Sequence, residues 1–253
     1  MSVIYWFSGT GNSLYAAKRL SESLGGVASR AIASGAPDKP VGGEFEKVGF
    51  VFPSYYGNLP RAVRAFVECL DVRPGTYIFA VVTMGGPGGG AVASLKAALE
   101  AKGLRLGYGV GVRMPANYVM MYNPASVSKS AGKLAYVDKK LEKAAREISA
   151  RVQRVRTFPV TSGNLYKNVE KLDRQFSVDE TCVSCGQCAK ICPAANIRLE
   201  GGGPKWRGRC EHCAACISWC PSAAIQYGAK TRGRRRYHNP AIKAAELFRT
   251  GKI

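Results

Sequence analysis

Residues 3–20 read VIYWFSGTGNSLYAAKRL, and this stretch decides the fold. Val3 to Phe7 is a short apolar run rich in strand-formers. Ser8-Gly9-Thr10-Gly11-Asn12-Ser13 follows directly, and Leu14, Ala17, Leu20 and Leu24 then recur at helical spacing until Gly25-Gly26. The alternation continues outward. Lys47–Pro53 (KVGFVFP) and Tyr77–Thr83 (YIFAVVT) read as buried strands, Leu106–Met114 as a strand weakened by Gly107, Gly109 and Gly111, and Val27–Ala33 as a weaker one. Arg61–Leu70 and Gly89–Lys102 read as helices between them. Apolar strands separated by helices predict an α/β fold: a doubly wound, five-stranded parallel sheet covered on both faces, with ligand loops beyond the strands' carboxyl ends.

Three loops fall at those ends. Ser8–Ser13 has small side chains, so backbone N–H groups can turn inward at a helix N-terminus and hold a phosphate without Lys or Arg. The hydroxyls of Ser8, Thr10 and Ser13 add donors. The loop lacks a P-loop lysine and is not G-x-G-x-x-G, and it is equally compatible with an ordinary strand–helix turn. The second loop, Pro53–Pro60 (PSYYGNLP), places Tyr55 and Tyr56 where they offer an aromatic face to a planar ring or cap the edge of the core. The third, Thr83–Gly90, has five glycines in eight positions, which permits close backbone approach to a ligand.

Together these loops resemble those of an FMN-binding flavodoxin domain. The resemblance implies that the FMN phosphate lies on Ser8, Thr10, Gly11, Asn12 and Ser13. It implies an isoalloxazine flanked by Ser54, Tyr55, Tyr56, Gly57 and Asn58 and by Thr83, Met84, Gly85 and Gly86. Stand-alone flavodoxins are usually acidic and often carry an aromatic residue in the third loop; this chain departs from both habits. One flavin face is then open, or covered by Tyr118 or Tyr122 of Met114–Pro124 (MPANYVMMYNP), a segment that otherwise reads as an apolar connector.

The chain has 253 residues, 46% hydrophobic and 21% charged, which excludes wholesale disorder. No apolar run approaches the roughly 18–20 residues of a membrane-spanning helix, and MSVIYWFSGT has no basic n-region, so the expectation is a cytoplasmic protein. Lys and Arg number 37 against 17 Asp and Glu, a net +20. The excess is concentrated: residues 126–160 hold nine basic and three acidic side chains, and residues 229–253 hold eight and one. From Ser126 to about Arg156 the residues Val127, Ala131, Leu134, Val137, Leu141, Ala144, Ile148, Val152 and Val155 recur at helical intervals. Lys129, Lys133, Lys139, Lys140, Lys143, Arg146, Arg151 and Arg154 fall on the opposite face, either a solvated surface or a dock for an acidic partner.

Of nine cysteines, eight lie between Cys182 and Cys220. Cys182-x2-Cys185-x2-Cys188-x3-Cys192-Pro193 recurs 28 residues later as Cys210-x2-Cys213-x2-Cys216-x3-Cys220-Pro221, and CPAANI is matched by CPSAAI. This spacing resembles the bacterial two-cluster ferredoxins, whose fourth cysteine ligates the other cluster. One 4Fe-4S cluster is then held by Cys182, Cys185, Cys188 and Cys220, the other by Cys210, Cys213, Cys216 and Cys192, with Gly186 easing a tight loop. Tetrahedral zinc has no use for the third and fourth cysteines at these intervals. His212 is surplus to the ligand count and reads as a surface residue; Cys69 reads as a small core residue. Arg232–Arg236 (RGRRR) is followed by Asn239-Pro240 and a short helix to about Phe248.

The combination resembles the flavodoxin–ferredoxin fusion family. It divides the chain into a flavodoxin-like domain (1–160), a small α+β dicluster ferredoxin-like domain (161–228) and a basic tail with a short helix (229–253). The resemblance implies electron transfer between the two 4Fe-4S clusters and FMN, a redox adapter of low-potential anaerobic metabolism with an acidic redox protein as partner. The alternative is a flavin-dependent reductase of a small substrate, with Tyr55, Tyr56 and Tyr118 as candidate proton donors. A third reading, a nucleic-acid-binding redox sensor using Arg232–Arg236, finds no interleaved aromatic platform or recognition helix to support it.

Overall fold

The apolar run that opens the chain forms β1 (Ser2–Trp6), which lies inside a six-stranded sheet. In the computed structural model, which describes residues 1–32, 41–86, 90–159 and 168–248, the other elements follow in chain order. They are β2 (Ala28–Ala31), β3 (Val41–Gly43), β4 (Lys47–Pro53), β5 (Leu70–Val72), β6 (Tyr77–Met84), β7 (Leu106–Arg113) and β8 (Arg154–Val155). The sheet order is β2-β1-β4-β6-β7-β8, parallel throughout, while β3 and β5 form a separate parallel pair. With that pair set aside, the six strands run in the order 2-1-3-4-5-6, a doubly wound one whose switch point lies between β1 and β4. Ala33, Pro87–Gly89, the expected boundary at 160/161 and Arg249–Ile253 lie outside the described residues.

Strand alternation sends each apolar residue to a defined face. Val3, Tyr5, Val48, Phe50, Phe52, Ile78 and Val82 pack under α2 (Arg61–Glu68) and α3 (Ala91–Glu100). Ile4, Val51, Phe79, Val81 and Tyr108 pack under α1 (Asn12–Ser23) and α4 (Val127–Ser149). Fully burying such a side chain contributes roughly 1.5–3 kcal/mol, which outweighs the poor strand propensity of the β7 glycines. Those glycines also make room: a Cβ on Gly109 would lie 2.8 Å from Val92, and one on Gly111 would lie 2.3 Å from Met84.

Two expectations change at the far edge. The sheet has six strands instead of five, and α4 ends at Ser149 instead of near Arg156. Arg151 adopts a left-handed conformation (φ 52) and turns the chain back, so Arg154–Val155 pairs with Tyr108–Gly109. Val152 and Val155 continued the helical period by coincidence of spacing. Arg154 donates to Glu147 and Tyr108 and is lost to the solvated basic face. Cys69, expected in the core, is only half-buried at the end of α2.

The second unit is small. β9 (Phe176–Val178) pairs antiparallel with β12 (Ile225–Tyr227), and β10 (Ile197–Glu200) with β11 (Gly203–Trp206). Short helices α5 (Gln187–Ile191) and α6 (Ala215–Ser218) carry the third cysteine of each motif. The duplication extends to the backbone: Ser184, Gly186 and Ala195 are left-handed (φ 51, 73, 49), and so are His212, Ala214 and Ala223, each 28 residues later (φ 54, 62, 52).

The tail is not a free basic arm. Its expected helix is one 3₁₀ turn, Ala244–Leu247, and Ile242 and Leu247 pack with Leu14 of α1, Ile191 of α5 and Trp219. Arg234 donates to Val119 O (2.8 Å), Arg235 to Pro124 O (2.7 Å) and Arg236 to Ile225 O (3.2 Å), while Arg232 pairs with Asp179. These arginines fasten the tail to carbonyls of both units. No helix of the described residues is long and apolar enough to cross a membrane.

Candidate functional site

Because β1, β4 and β6 are adjacent and parallel, their following loops converge on one cavity of about 910 Å³, its open mouth included. Ser8, Thr10, Asn12 and Ser13 line one part, Ser54, Tyr55 and Tyr56 another, and Thr83, Met84, Gly85 and Gly86 a third. Gly11, Gly57 and Asn58 do not line it; they shape it. Gly11 (φ 91) turns the chain into α1. Tyr56 and Gly57 are both left-handed (φ 49 and 72) in a turn closed by reciprocal backbone bonds between Tyr55 and Asn58 (3.1 and 2.8 Å). Asn58 is buried and accepts a hydrogen bond from Ser94 Oγ (3.1 Å).

The first loop is built for an anion. Ser8, Thr10, Asn12 and Ser13 are all buried, and α1 has no acidic residue in its first turn. Among the described residues no protein acceptor takes the backbone N–H of Thr10, Gly11, Asn12 or Ser13. Buried, unpaired N–H groups at a helix N-terminus are costly unless an anion accepts from them. The side chains are pre-set: Ser13 Oγ is bonded to Thr83 Oγ1 (2.7 Å), and Asn117 Nδ2 donates to Thr10 Oγ1. The chemistry of the loop fits a phosphate.

Tyr118 and Tyr122 line the cavity, so the 114–124 segment is a wall and not only a connector. Met114, Pro115, Asn117 and Met121 line it too, none of them singled out from the sequence. The remaining wall comes from the second unit, through His212 and Cys213.

His212 overturns the surface expectation, being 3% exposed. The left-handed backbone between two cysteines turns its ring inward, parallel to Tyr56 (16°) and edge-on to Phe176 and Tyr227. Its Nδ1 lies 2.5 Å from Tyr56 Oη and 2.6 Å from Tyr118 Oη, and the two hydroxyls are bonded to each other. Its Nε2 has no partner among the described residues. Burial holds the imidazole down to about 4, so the ring is neutral at pH 7, and burial likewise raises Tyr56 and Tyr118. The cysteine spacing gave no hint of this, because the contacts come from two distant loops. Beside it, buried Glu211 accepts from the backbone N–H of Arg61 and Ala62 (3.2 Å each), capping α2, and from Arg61 Nε (3.3 Å). Burial raises its carboxyl, with Arg61 pulling the other way.

The cysteines separate into two sets. Cys182, Cys185, Cys188 and Cys220 line one small pocket with Gly186, Leu199 and Pro221. Cys210, Cys216 and Cys192 are buried, and the surface Cys213 retains borders the cavity. Burial pushes Cys210 up to about 12 and raises Cys213 and Cys216 well above the ordinary thiol range; the neighbouring sulfurs, Cys192 among them, act in the same direction. Thiols buried in this way ionise together only beside a positive charge. Among the described residues no three His, Cys, Asp or Glu converge tightly enough to hold a single ion. A cubane asks for something else, one thiolate at each iron corner around a central body. Backbone N–H groups also face sulfur: Asn196 to Cys192 (3.3 Å) and His212 to Cys210 (3.2 Å). Two groups of four thiols are the donor chemistry that iron–sulfur cubanes take.

The two sites touch. A Cβ on Gly9 would lie 2.6 Å from Cys213 O and 2.9 Å from Cys213 Cβ, so only glycine lets the first loop press this close to the inner cysteines. Lys129, Lys133, Lys139, Lys140, Lys143 and Arg146 of α4 are exposed.

No protein-family model matches the sequence, and no curated protein sequence matches it. Solved structures do show similarity. The Megasphaera elsdenii flavodoxin aligns at 19% identity over 44% of this chain and 85% of its own (TM-score 0.36). A flavodoxin of Streptococcus pneumonia TIGR4 aligns at 17% over 60% of this chain and 99% of its own (TM-score 0.39). An FMN-dependent NADH-azoreductase of Bacillus anthracis aligns at 12% over 58% of this chain and 99% of its own (TM-score 0.40).

Proposed function

We propose that this chain is an electron-transfer flavoprotein: FMN occupies the loop-lined cavity, and the two cysteine sets each hold a 4Fe-4S cluster. The observation that carries this reading is Cys213, which belongs to the inner set and borders the cavity as well. When bound, FMN exchanges one or two electrons and each cubane exchanges one, so the chain couples one-electron to two-electron carriers. The N–H groups of Thr10–Ser13 and the hydroxyls of Ser8, Thr10 and Ser13 hold the phosphate. Tyr55, Tyr56, Tyr118 and Tyr122 exclude water from the ring, and Gly9 keeps the first loop against Cys213. The outer set, with Cys185 exposed, meets external carriers. The exposed lysines of α4 favour an acidic redox protein, whose association slows with salt. Anaerobic purification followed by iron, sulfide and flavin analysis tests the reading: one FMN and roughly eight irons per chain are expected. No flavin, or far less iron, overturns it.

A specific observation favours a second reading. His212, Tyr56 and Tyr118 place three hydrogen-bonding groups on the cavity wall, although the three loops themselves offer no His or acidic residue. A flavin-dependent reductase of a small substrate would use such a cluster to bind and orient a polar acceptor. Photoreduced holoprotein offered a panel of small acceptors distinguishes the two: reoxidation by carriers alone supports electron transfer, and turnover of one acceptor supports the reductase.

A further inference from the structure

The loop Ser8–Ser13 belongs to the first unit, yet its shape is set by residues more than 200 positions away. Gly9 O accepts from Trp219 Nε1 (3.1 Å), and Thr10 O accepts from the Asn239 backbone N–H (2.8 Å). Gly11 O is taken by Tyr15 N–H inside α1 (2.9 Å). In a planar trans peptide the N–H points opposite to the C=O. Fixing these three carbonyls therefore fixes the N–H groups of Thr10, Gly11 and Asn12, the groups left without a protein acceptor. Asn12 is held as well: its Oδ1 accepts from Tyr237 Oη (2.9 Å) and Asn239 Nδ2 (3.1 Å), and its Nδ2 donates to Pro115 O (3.1 Å). Tyr237 and Asn239 are 1% and 0% exposed, and Asn12 is the partner of both side chains.

We propose that Tyr237 and Asn239 are positioning residues of the phosphate site, so that flavin-phosphate binding by the first unit is conditional on a tail threaded through the cysteine-bearing unit. The proposal rests on the FMN reading above. It gives the tail a role distinct from its charge. The arginines fasten the segment, and the two buried polar side chains at its end aim the anion loop. It also makes the first unit incomplete alone: without the second unit and tail, the carbonyls of Gly9 and Thr10 lose their donors and the loop is free to turn over.

Flavin-stripped protein with its clusters intact, titrated anaerobically with FMN and with riboflavin, tests this. Riboflavin shares the ring and lacks the phosphate. Tyr237→Phe removes one hydroxyl and is expected to weaken FMN binding about fivefold to tenfold, the loss of one net hydrogen bond, while riboflavin binding stays within about twofold. Asn239→Ala is expected to weaken FMN binding more, with the same selectivity. Leu247→Ala loosens the same packing without touching these hydrogen bonds. It is expected to lower Tm and leave the FMN-to-riboflavin ratio unchanged, which separates positioning from general stability. If both ligands weaken together in Tyr237→Phe, or neither does, the positioning role is overturned while the FMN reading stands. If the unsubstituted protein binds FMN no better than riboflavin, the phosphate assignment itself fails.

Discussion

The two cysteine motifs have the same spacing and the same left-handed backbone positions, but opposite surroundings. The first is at the surface: Cys185 is exposed, and Val183 and Leu199 beside it are 67% and 44% exposed. The second is covered by the first loop, α2 and the tail, with Cys210 and Cys216 each 8% exposed. The difference lies in the residues between the ligands. Where the outer copy has Gln187 and Lys190, the inner has Ala215 and Ser218; where the outer has Val183 and Ser184, the inner has Glu211 and His212. A symmetric duplication has thus acquired an inside and an outside, and under the function proposed above that difference orders the electrons: partner, outer cluster, inner cluster, cavity.

Cysteine substitution is the most direct way to break that order. Cys185→Ser and Cys213→Ser should each halve the iron content. Cys185→Ser should abolish exchange with an external carrier and leave exchange between flavin and the remaining cluster intact. Cys213→Ser should abolish the internal step. Stopped-flow absorbance of flavin and clusters separates the outcomes; identical defects in the two variants would contradict the inside–outside distinction.

Charge pairs give the next largest contrast. On the inner side Arg61 pairs with Glu211, which is 4% exposed, and donates to Cys210 O as well. Arg61→Met leaves that carboxylate buried without its cation and should cost about 3–5 kcal/mol in chemical denaturation. The outer pair, Arg207 with Glu200 at 3.3 Å, has side chains 42% and 46% exposed. Arg207→Met should cost about 0–1 kcal/mol. Equal losses would mean that the inner copy is less dry than its packing implies.

Glycines offer a smaller contrast. Gly9→Ala drives a methyl into Cys213 and should destabilise by about 1–3 kcal/mol through overpacking, with the inner cluster lost first on warming. Gly186→Ala in the outer motif meets only Leu199 Cδ1 at 3.3 Å, and its cost is the left-handed backbone, about 1 kcal/mol. The inner copy already carries Ala214 at the matching position (φ 62), which shows the conformation is tolerable there.

These contrasts also show what the sequence could and could not reveal. The parallel strands and the loops after β1, β4 and β6 were legible because each depends on a local pattern of apolar runs and small residues. The cysteine repeat was legible for the same reason. What escaped was every feature made by distant segments. Val152 and Val155 kept a helical period, but Arg151 breaks the helix and Arg154–Val155 gains a strand partner in β7. His212 looked surplus because its partners, Tyr56 and Tyr118, lie 156 and 94 positions away. The arginine run suggested a nucleic-acid contact because charge is visible in a sequence and carbonyl acceptors such as Val119 O are not. Buried polar contacts between units have no period, so composition and spacing cannot announce them.

The smallest expected effect is the pH dependence of an ion pair near the end of the described tail, on the covered side. Glu246 accepts from Lys18 of α1 and from the Lys243 backbone N–H (2.8 Å), and these hold its carboxyl below the ordinary range, Lys18 contributing most. A depressed carboxyl stabilises the fold above the unfolded-state pKa, and the contribution is lost as pH falls through the folded value. The side chains of Lys18 and Glu246 are 43% and 31% exposed, so solvent screens the pair and its worth is about 0.2–1 kcal/mol. Glu246→Gln should therefore lower stability by that amount at pH 7 and not at all once the carboxyl is protonated, with the difference shrinking in high salt. Denaturation curves of the two proteins at pH 7 and at acid pH would show it. A difference that persists in acid would mean that the glutamate acts through its packing and not through its charge.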